Sequence, residues 1–356
     1  MKPVYLAGRA LASVLGLNLA QAAATMSRPS PDEPSRYALP GRENGTVPYF
    51  TIPYQAACWN ERARELITRA ATDAQAERAR QGALFIATSA QDTDAAEQNM
   101  REMDFHLLAS RIAGWLNWQG PVYLVSTACT SSINAMLSAL ALLRSGEVSE
   151  ALVLGVELDN RLTVPGFAAL QLLTQSRSKP FAAARDGLML GEAVAALRLS
   201  TQEITPWCVL GGANVVDGTQ ATGASETAVM EMCQRALAAS GIQPHQIDLI
   251  KVQAAGSPSN DSAEAAGLRQ AFIDLPALVS LKPLIGHCMG ASGAAEIALL
   301  LSCLEQGLWP GHPDAADPAL GVRLAARAPQ QVRRLLANII GFGGSHAAVV
   351  LERSPL

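Results

Sequence analysis

The chain has 356 residues, of which 49% are hydrophobic and 16% charged, with a net charge of -4 and a mean hydropathy of +0.16. That much apolar material fills one large core or two fused halves and excludes a disordered chain, while the weak net charge excludes a nucleic acid or an anionic membrane surface as partner. Six cysteines (Cys58, Cys129, Cys208, Cys233, Cys288 and Cys303) show neither CxxC nor Cys/His metal spacing. In a chain too long to need staples this predicts free thiols, a reducing cytoplasmic compartment, and no metal or cofactor.

Met1, Lys2, the apolar run Ala10 to Ala24 and the small residues after Gln21 imitate a cleavable leader. The preferred reading is a buried strand, Val4 to Ala7, turning at Gly8. Asn18 and Gln21 make the run too polar for a membrane span. Prolines and glycines crowd residues 27–53, which read as an irregular surface excursion. A charged helix (Asn60 to Arg80) then leads through Gly82 into the apolar strand Ala83 to Ala87. A helical stretch (Thr93 to Leu108), the strand Val122 to Val125, the helix Ser131 to Arg144 and the strand Ala151 to Val156 follow. Near-continuous apolar strands alternating with helices signal an α/β sheet covered on both faces.

The remainder repeats the pattern: strand Trp207 to Val216, helix Ser225 to Ala239, strand Ile247 to Val252, helix Ala263 to Phe272, strand Ala277 to Ser280 and helix Ser292 to Gln306. A hairpin, Val332 to Ile339 and Ala347 to Glu352, closes the chain around Gly341-Phe342-Gly343-Gly344. Two halves of like order, 1–202 and 203–356, suggest a duplication, although no sequence repeat proves it. The first would carry Cys129, the second His287 and the glycine turn.

Three places suggest chemistry. In Val122-Tyr123-Leu124-Val125-Ser126-Thr127-Ala128-Cys129-Thr130-Ser131-Ser132 a strand ends in small residues and a cysteine opens a helix, where free N–H groups and the dipole should lower a thiol pKa. A free cysteine is as readily a small buried hydrophobe, and the neighbours decide. In Ser280 to Glu296, Gly286 and Gly290 flank His287 and would allow close approach of backbone and substrate; the imidazole could donate a hydrogen bond to a thioester carbonyl. At Gly341 to Gly344 a turn offers an unshielded backbone N–H.

Four stretches, VSTACTSS around Cys129, KPFAAARDGLMLGEA from Lys179, LKPLIGHCMGASGAAE around His287 and NIIGFGGSHAAVVLER near the end, resemble the β-ketoacyl synthase family in order and spacing. The resemblance implies a duplicated thiolase-like fold with α-β-α-β-α layers and mixed sheets, a dimer, and a cysteine acylated from acyl carrier protein for condensation with a malonyl unit. Cys129 matches the nucleophile, and its N–H with that of Phe342 matches the oxyanion hole. Phe342 also resembles the side chain that gates malonyl entry. His287 matches one catalytic histidine, Lys282 its supporting lysine, and Glu192 a buried acid near that lysine, for which a structural ion pair is an equal account. The glycine turn, Gly343 included, falls on the substrate side.

The departures are as informative. In the segment Lys251 to Glu264, Ala255 stands where the family's other histidine belongs, Ser257 and Ser259 replace a threonine pair near the pantetheine arm, and the loop before Asp261 is shortened. The charged gating loop is reduced to Gln171 to Ser178. His346 is a weak candidate for the missing imidazole. The expectation is therefore a ketosynthase-like subunit with an incomplete triad, resembling the chain-length factors of fatty-acid, polyketide or aryl-polyene assembly. Its partners would be acyl carrier protein and a complete ketosynthase in a heterodimer, or a second copy in a homodimer. The retained cysteine, which such factors commonly lose, supports the alternative of an active condensing enzyme or acyltransferase.

Overall fold

The computed structural model describes residues 2–28, 33–39, 45–89, 104–219, 221–311 and 313–354. The first half runs β1 (Tyr5–Ala12), α1 (Leu19–Met26), β2 (Ser35–Ala38), β3 (Thr46–Phe50), α2 (Trp59–Asp73), β4 (Ala83–Ala87), α3 (Phe105–Trp115), β5 (Val122–Val125), α4 (Ser131–Ser145), β6 (Glu150–Glu157), α5 (Thr163–Ala169), β7 (Leu190–Gly191) and β8 (Ala193–Ser200). The second runs β9 (Trp207–Val216), α6 (Glu226–Ser240), β10 (Leu249–Lys251), α7 (Pro258–Ala271), β11 (Ala277–Val279), α8 (Lys282–Ile285), α9 (Ser292–Gln306), β12 (Arg334–Ile340) and β13 (Ser345–Arg353).

A 10-stranded sheet has the order β11-β10-β12-β13-β9-β1-β8-β6-β4-β5. When the five strands of each half are numbered along the chain, both halves read 3-2-4-5-1 from the outer edge inward. Their directions agree as well. The three outer strands of each half are parallel, the fourth inward pairs antiparallel with the third, and the innermost pairs antiparallel with the fourth. Within the ladder the halves meet through the single pair Tyr5↔Cys208, next to a 2.8 Å bond from Val209 N to Val4 O. The duplication that no sequence repeat revealed is thus plain in the topology.

The layers follow from which helix faces are apolar. α2 and α3 cover one outer face of the first half-sheet, and α6 and α7 cover the second. α4 and α9 lie between the half-sheets: α4 touches β4 and β6 but also β9 and β13, and α9 touches β1, β6 and β8 as well as β12. A helix enclosed on every side must be apolar all round. α9 follows this apart from Glu296 and two serines, with Ser292 to Cys303 all buried. At Gly293 an added Cβ would sit 2.6 Å from Ile133 Cγ1, so glycine lets the first turns of α4 and α9 touch, and Ser132 Oγ accepts from Ala294 N at 3.1 Å. This contact brings the Cys129 and His287 regions together. Among the described residues no helix is long and apolar enough to cross a membrane.

Several expected elements are corrected. β1 does not turn at Gly8; it runs on to Ala12 with a register shift between Leu6 and Gly8. Glycine is needed because a Cβ there would lie 2.1 Å from Ala74 O at the end of α2. That helix stops at Asp73 rather than Arg80, since Gln75 takes a left-handed φ of 57° before a separate 3-10 turn. Within 27–53, β2 pairs antiparallel with β3, and β3 pairs parallel with β7, so the proline-rich stretch holds a small second sheet. Pro29, Pro31, Pro40, Gly41 and most of the stretch 93–108 lie outside the described residues. β8 was not anticipated, although it is central to its half-sheet.

One buried ion pair fixes this frame beside the site. Arg62 of α2 holds both oxygens of Glu192 at 2.6 Å, while Glu192 also accepts from Ile52 N at 2.7 Å and Asp159 N at 2.9 Å. Removing one partner of such a pair strands a charge in a dry place. Arg62→Met should therefore cost about 3–5 kcal/mol in an equilibrium urea titration. A loss below about 1 kcal/mol would show instead that water screens the pair.

Candidate active site

Cys129 is delivered by a strained turn. β5 ends at Val125, α4 begins at Ser131, and between them Ala128 adopts a left-handed φ of 51°, uncommon for a residue with a side chain. Ser131 locks the turn, its Oγ accepting from Thr127 N at 2.9 Å and donating to Ala128 O at 2.6 Å. The thiol is buried, with its own N–H and that of Phe342 donating toward sulfur. Burial pushes the Cys129 pKa up to about 11, and the nearby Lys282 charge and those N–H groups reduce the rise without cancelling it. This overturns the lowered pKa expected from a helix tip. The helix starts two residues later, at Ser131, and desolvation outweighs what reaches Sγ.

His287 Nε2 lies 3.0 Å from Cys129 Sγ. Its Nδ1 meets Lys282 Nζ at 2.9 Å and Ser292 Oγ at 3.0 Å. An ammonium can only donate, so Nδ1 accepts and the ring proton belongs on Nε2, aimed at the sulfur. Burial first, and then the charges of Lys282 and Lys251, hold the His287 pKa well below its usual value, so the ring is neutral. Behind it, Glu296 takes Lys282 on one carboxylate oxygen and Lys251 Nζ on the other at 2.9 Å; Lys251 also donates to Asn338 O at 2.6 Å. This continuous chain, Cys129 to His287 to Lys282 to Glu296 to Lys251, is wholly buried.

The partner of Lys282 is thus Glu296, not Glu192, which faces Arg62. Both Glu296 and Lys251 left a signal in the sequence: each is a lone charge inside an otherwise apolar element, and charges are rarely buried without a partner. The flanking glycines also do other work than expected. A Cβ on Gly286 would lie 2.8 Å from backbone atoms of Leu190 and Gly191, and one on Gly290 would lie 2.8 Å from Glu157 Oε1. They let chain pack on chain, with His287 N bonded to Met189 O at 2.7 Å.

Cys129, His287, Phe342, Ala255, Ser257, Gln253, Asn260, Asp261, Glu264, Leu188 and Ile340 line one cavity of about 20 Å³, room for about one water. Ala255 therefore does share a wall with the thiol and the imidazole. Ser259 is exposed at the start of α7 and Gly343 is exposed in the turn, and neither lines the cavity; nor does His346, which is buried on β13. Phe342 stacks on Phe167 of α5 with centroids 5.1 Å apart. Asp261 and Glu264 clamp the loop carrying Ala255: Asp261 accepts from Phe181 N at 2.9 Å and Ala255 N at 3.2 Å, and Glu264 from Gln253 N and Ala254 N at 2.7 Å. Burial pushes Asp261 up to about 7.

The arrangement can present a cysteine to a thioester, place two backbone N–H groups and one imidazole N–H around the reacting atoms, and exclude water. Residues 52–203 match the family described as "Beta-ketoacyl synthase, N-terminal domain" and residues 208–315 that described as "Beta-ketoacyl synthase, C-terminal domain". Polyketide synthase ThaG of Burkholderia thailandensis is 31% identical over 354 residues, covering 84% of this chain and 6% of that protein. This chain thus spans a small fraction of that curated relative's length. Among solved structures, one described as a ketosynthase (ApeO) in complex with its chain length factor (ApeC) from Xenorhabdus doucetiae superposes with a TM-score of 0.86 at 23% identity, covering 99% of this chain and 98% of that one. A β-ketoacyl synthase from Burkholderia phymatum superposes at 0.84 with 20% identity, each chain covered over 100% of its length. The fold is the duplicated thiolase-like one, and with both domain profiles matched in order the chain belongs to the β-ketoacyl synthase family.

Proposed function

We propose that this chain is a non-elongating ketosynthase-like subunit that accepts acyl groups from acyl carrier protein on Cys129 and works beside a complete β-ketoacyl synthase in fatty-acid, polyketide or aryl-polyene assembly. The observation that carries this reading is a single one: Cys129 Sγ and His287 Nε2 stand 3.0 Å apart while Ala255, with no functional side chain, lines the same cavity.

Loading Cys129 needs little that is missing. Thiol attack on a thioester breaks the bond to the pantetheine sulfur, and the proton lost by Cys129 ends on the departing thiol. The backbone N–H groups of Cys129 and Phe342 hold the oxyanion between. Decarboxylating a malonyl thioester is different, because its enolate oxygen needs two donors in a dry pocket, and only one imidazole is present. Losing one such donor costs on the order of 10²- to 10³-fold in rate.

An edge left uncovered among the described residues supports a partner. β5, which leads to Cys129, is the outermost strand of its half-sheet, half-exposed along its length, with Tyr123 exposed. Such an edge is a template for pairing with another chain. The likeness to a structure described as a ketosynthase with its chain length factor agrees with a heterodimer. The intact Cys129–His287 contact favours a second reading, an acyltransferase that acts without decarboxylation.

Carbon dioxide release from malonyl carrier protein by the chain alone should run at least about 10²-fold below that of a complete ketosynthase. An equal rate rejects the non-elongating reading. Intact mass spectrometry with acyl carrier proteins should show an adduct that Cys129→Ala abolishes, and no adduct with any donor rejects acyl handling altogether.

The raised thiol pKa gives a pH signature. Because the thiolate is the nucleophile, site-resolved alkylation of Cys129 by iodoacetamide should keep accelerating with pH toward about 11. Lys282→Met removes a charge that lowers the thiol pKa, so its profile should move to higher pH. A plateau below pH 8 would show that the thiolate is stabilised rather than disfavoured.

A further inference from the structure

Gln253 lies two residues before Ala255 on the segment leaving β10, and both residues line the cavity with Cys129 and His287. The long side chain at 253 and the short one at 255 thus border the same small volume. Gln253 is 8% exposed, and its Oε1 is buried with no hydrogen-bond partner among the described residues. Its backbone is fixed by the bond from its N–H to Glu264 Oε1 at 2.7 Å. A carboxamide oxygen held dry and unbonded is costly unless a ligand completes the group or the amide turns over.

We infer that the Gln253 carboxamide is the second hydrogen-bond donor to the carbonyl oxygen of a malonyl thioester, acting with His287 Nε2 in place of the imidazole absent at Ala255. The inference rests on the acyl-handling reading. The amide can present its NH2 or its oxygen to the cavity by turning about its last bond, and the donating orientation is the one that serves the substrate. As the bond to the malonyl carboxylate breaks, its electron pair enters the thioester as an enolate and carbon dioxide leaves. Imidazole and amide N–H groups then share the oxygen's charge. The enolate carbon then takes a proton from water to give an acetyl thioester, and no carbon–carbon bond forms.

The test uses the full chain, malonyl-N-acetylcysteamine as probe and carbon dioxide release as readout. The wild type should release carbon dioxide slowly but above the uncatalysed rate, and Gln253→Met, similar in size, should release it about 10²-fold more slowly still. Alkylation of Cys129 by iodoacetamide, which generates no oxyanion, should change by less than about twofold, separating a donor from a structural role. Gln253→Glu carries a carboxylate that cannot donate until protonated, so its rate relative to wild type should rise as pH falls. The inference is overturned if Gln253→Met matches the wild type, if alkylation falls in step with release, or if the wild type never exceeds the uncatalysed rate. A wild-type rate equal to that of a complete ketosynthase instead rejects the non-elongating reading, and the Gln253→Met comparison still decides the role of the amide.

Discussion

The contact on which the site depends is the one between Cys129 of the first half and His287 of the second, because each half supplies a group the other lacks. A buried neutral imidazole has no inherent reason to face a thiol. What fixes it is the charge chain behind it, where Glu296 is shared by Lys282 and Lys251 and Lys282 in turn directs the tautomer of His287. Burial and the neighbouring Lys282 charge push the Lys251 pKa down, so the charge that bears on the site is that of Lys282, which favours negative charge developing on sulfur or on a thioester oxygen. Isolated, these buried charges would be prohibitive; paired and hydrogen-bonded, they are a preorganised field.

The duplicated sheet explains why the two groups meet at all. In each half the long helix that follows the third strand passes inward, α4 in the first and, after the short α8, α9 in the second, so their first turns lie together between the half-sheets. Gly293 permits that approach, and the chain just before each helix carries one of the reacting groups. Pseudo-symmetry thus accounts for position. Chemistry then breaks the symmetry, since one turn holds a thiol and the other an imidazole with its lysine.

Much of this was legible in the residues. Apolar strands such as Ala83 to Ala87 and Trp207 to Val216 were read to the residue because buried strands leave continuous runs, and α9 because a central helix is apolar all round. The motifs around Cys129 and His287 singled out two side chains that the fold brings within 3.0 Å of each other. For Glu192 the two accounts left open, the site lysine or a structural ion pair, could not be separated because sequence order does not say that α2 brings Arg62 to it from 130 residues away. The pKa of Cys129 was misjudged in sign because a helix start is visible in sequence and desolvation is not. The glycines beside His287 were read as room for substrate when the neighbouring strand and Glu157 already fill that space.

The proposed loss of condensation is better understood as a property of the loop than of one residue. With the segment before Asp261 short, α7 begins at Pro258, and Asp261 and Glu264 tie down four successive N–H groups from Gln253 to Gly256. The result is a rigid wall against a cavity that holds about one water. Phe342, which also lines the cavity, is held differently, by stacking on Phe167, an interaction of about 0.5–1.5 kcal/mol beyond the area it buries. A site with one fixed wall and one loosely held wall can admit and hold an acyl chain while offering little freedom on the side where a second imidazole would have to act.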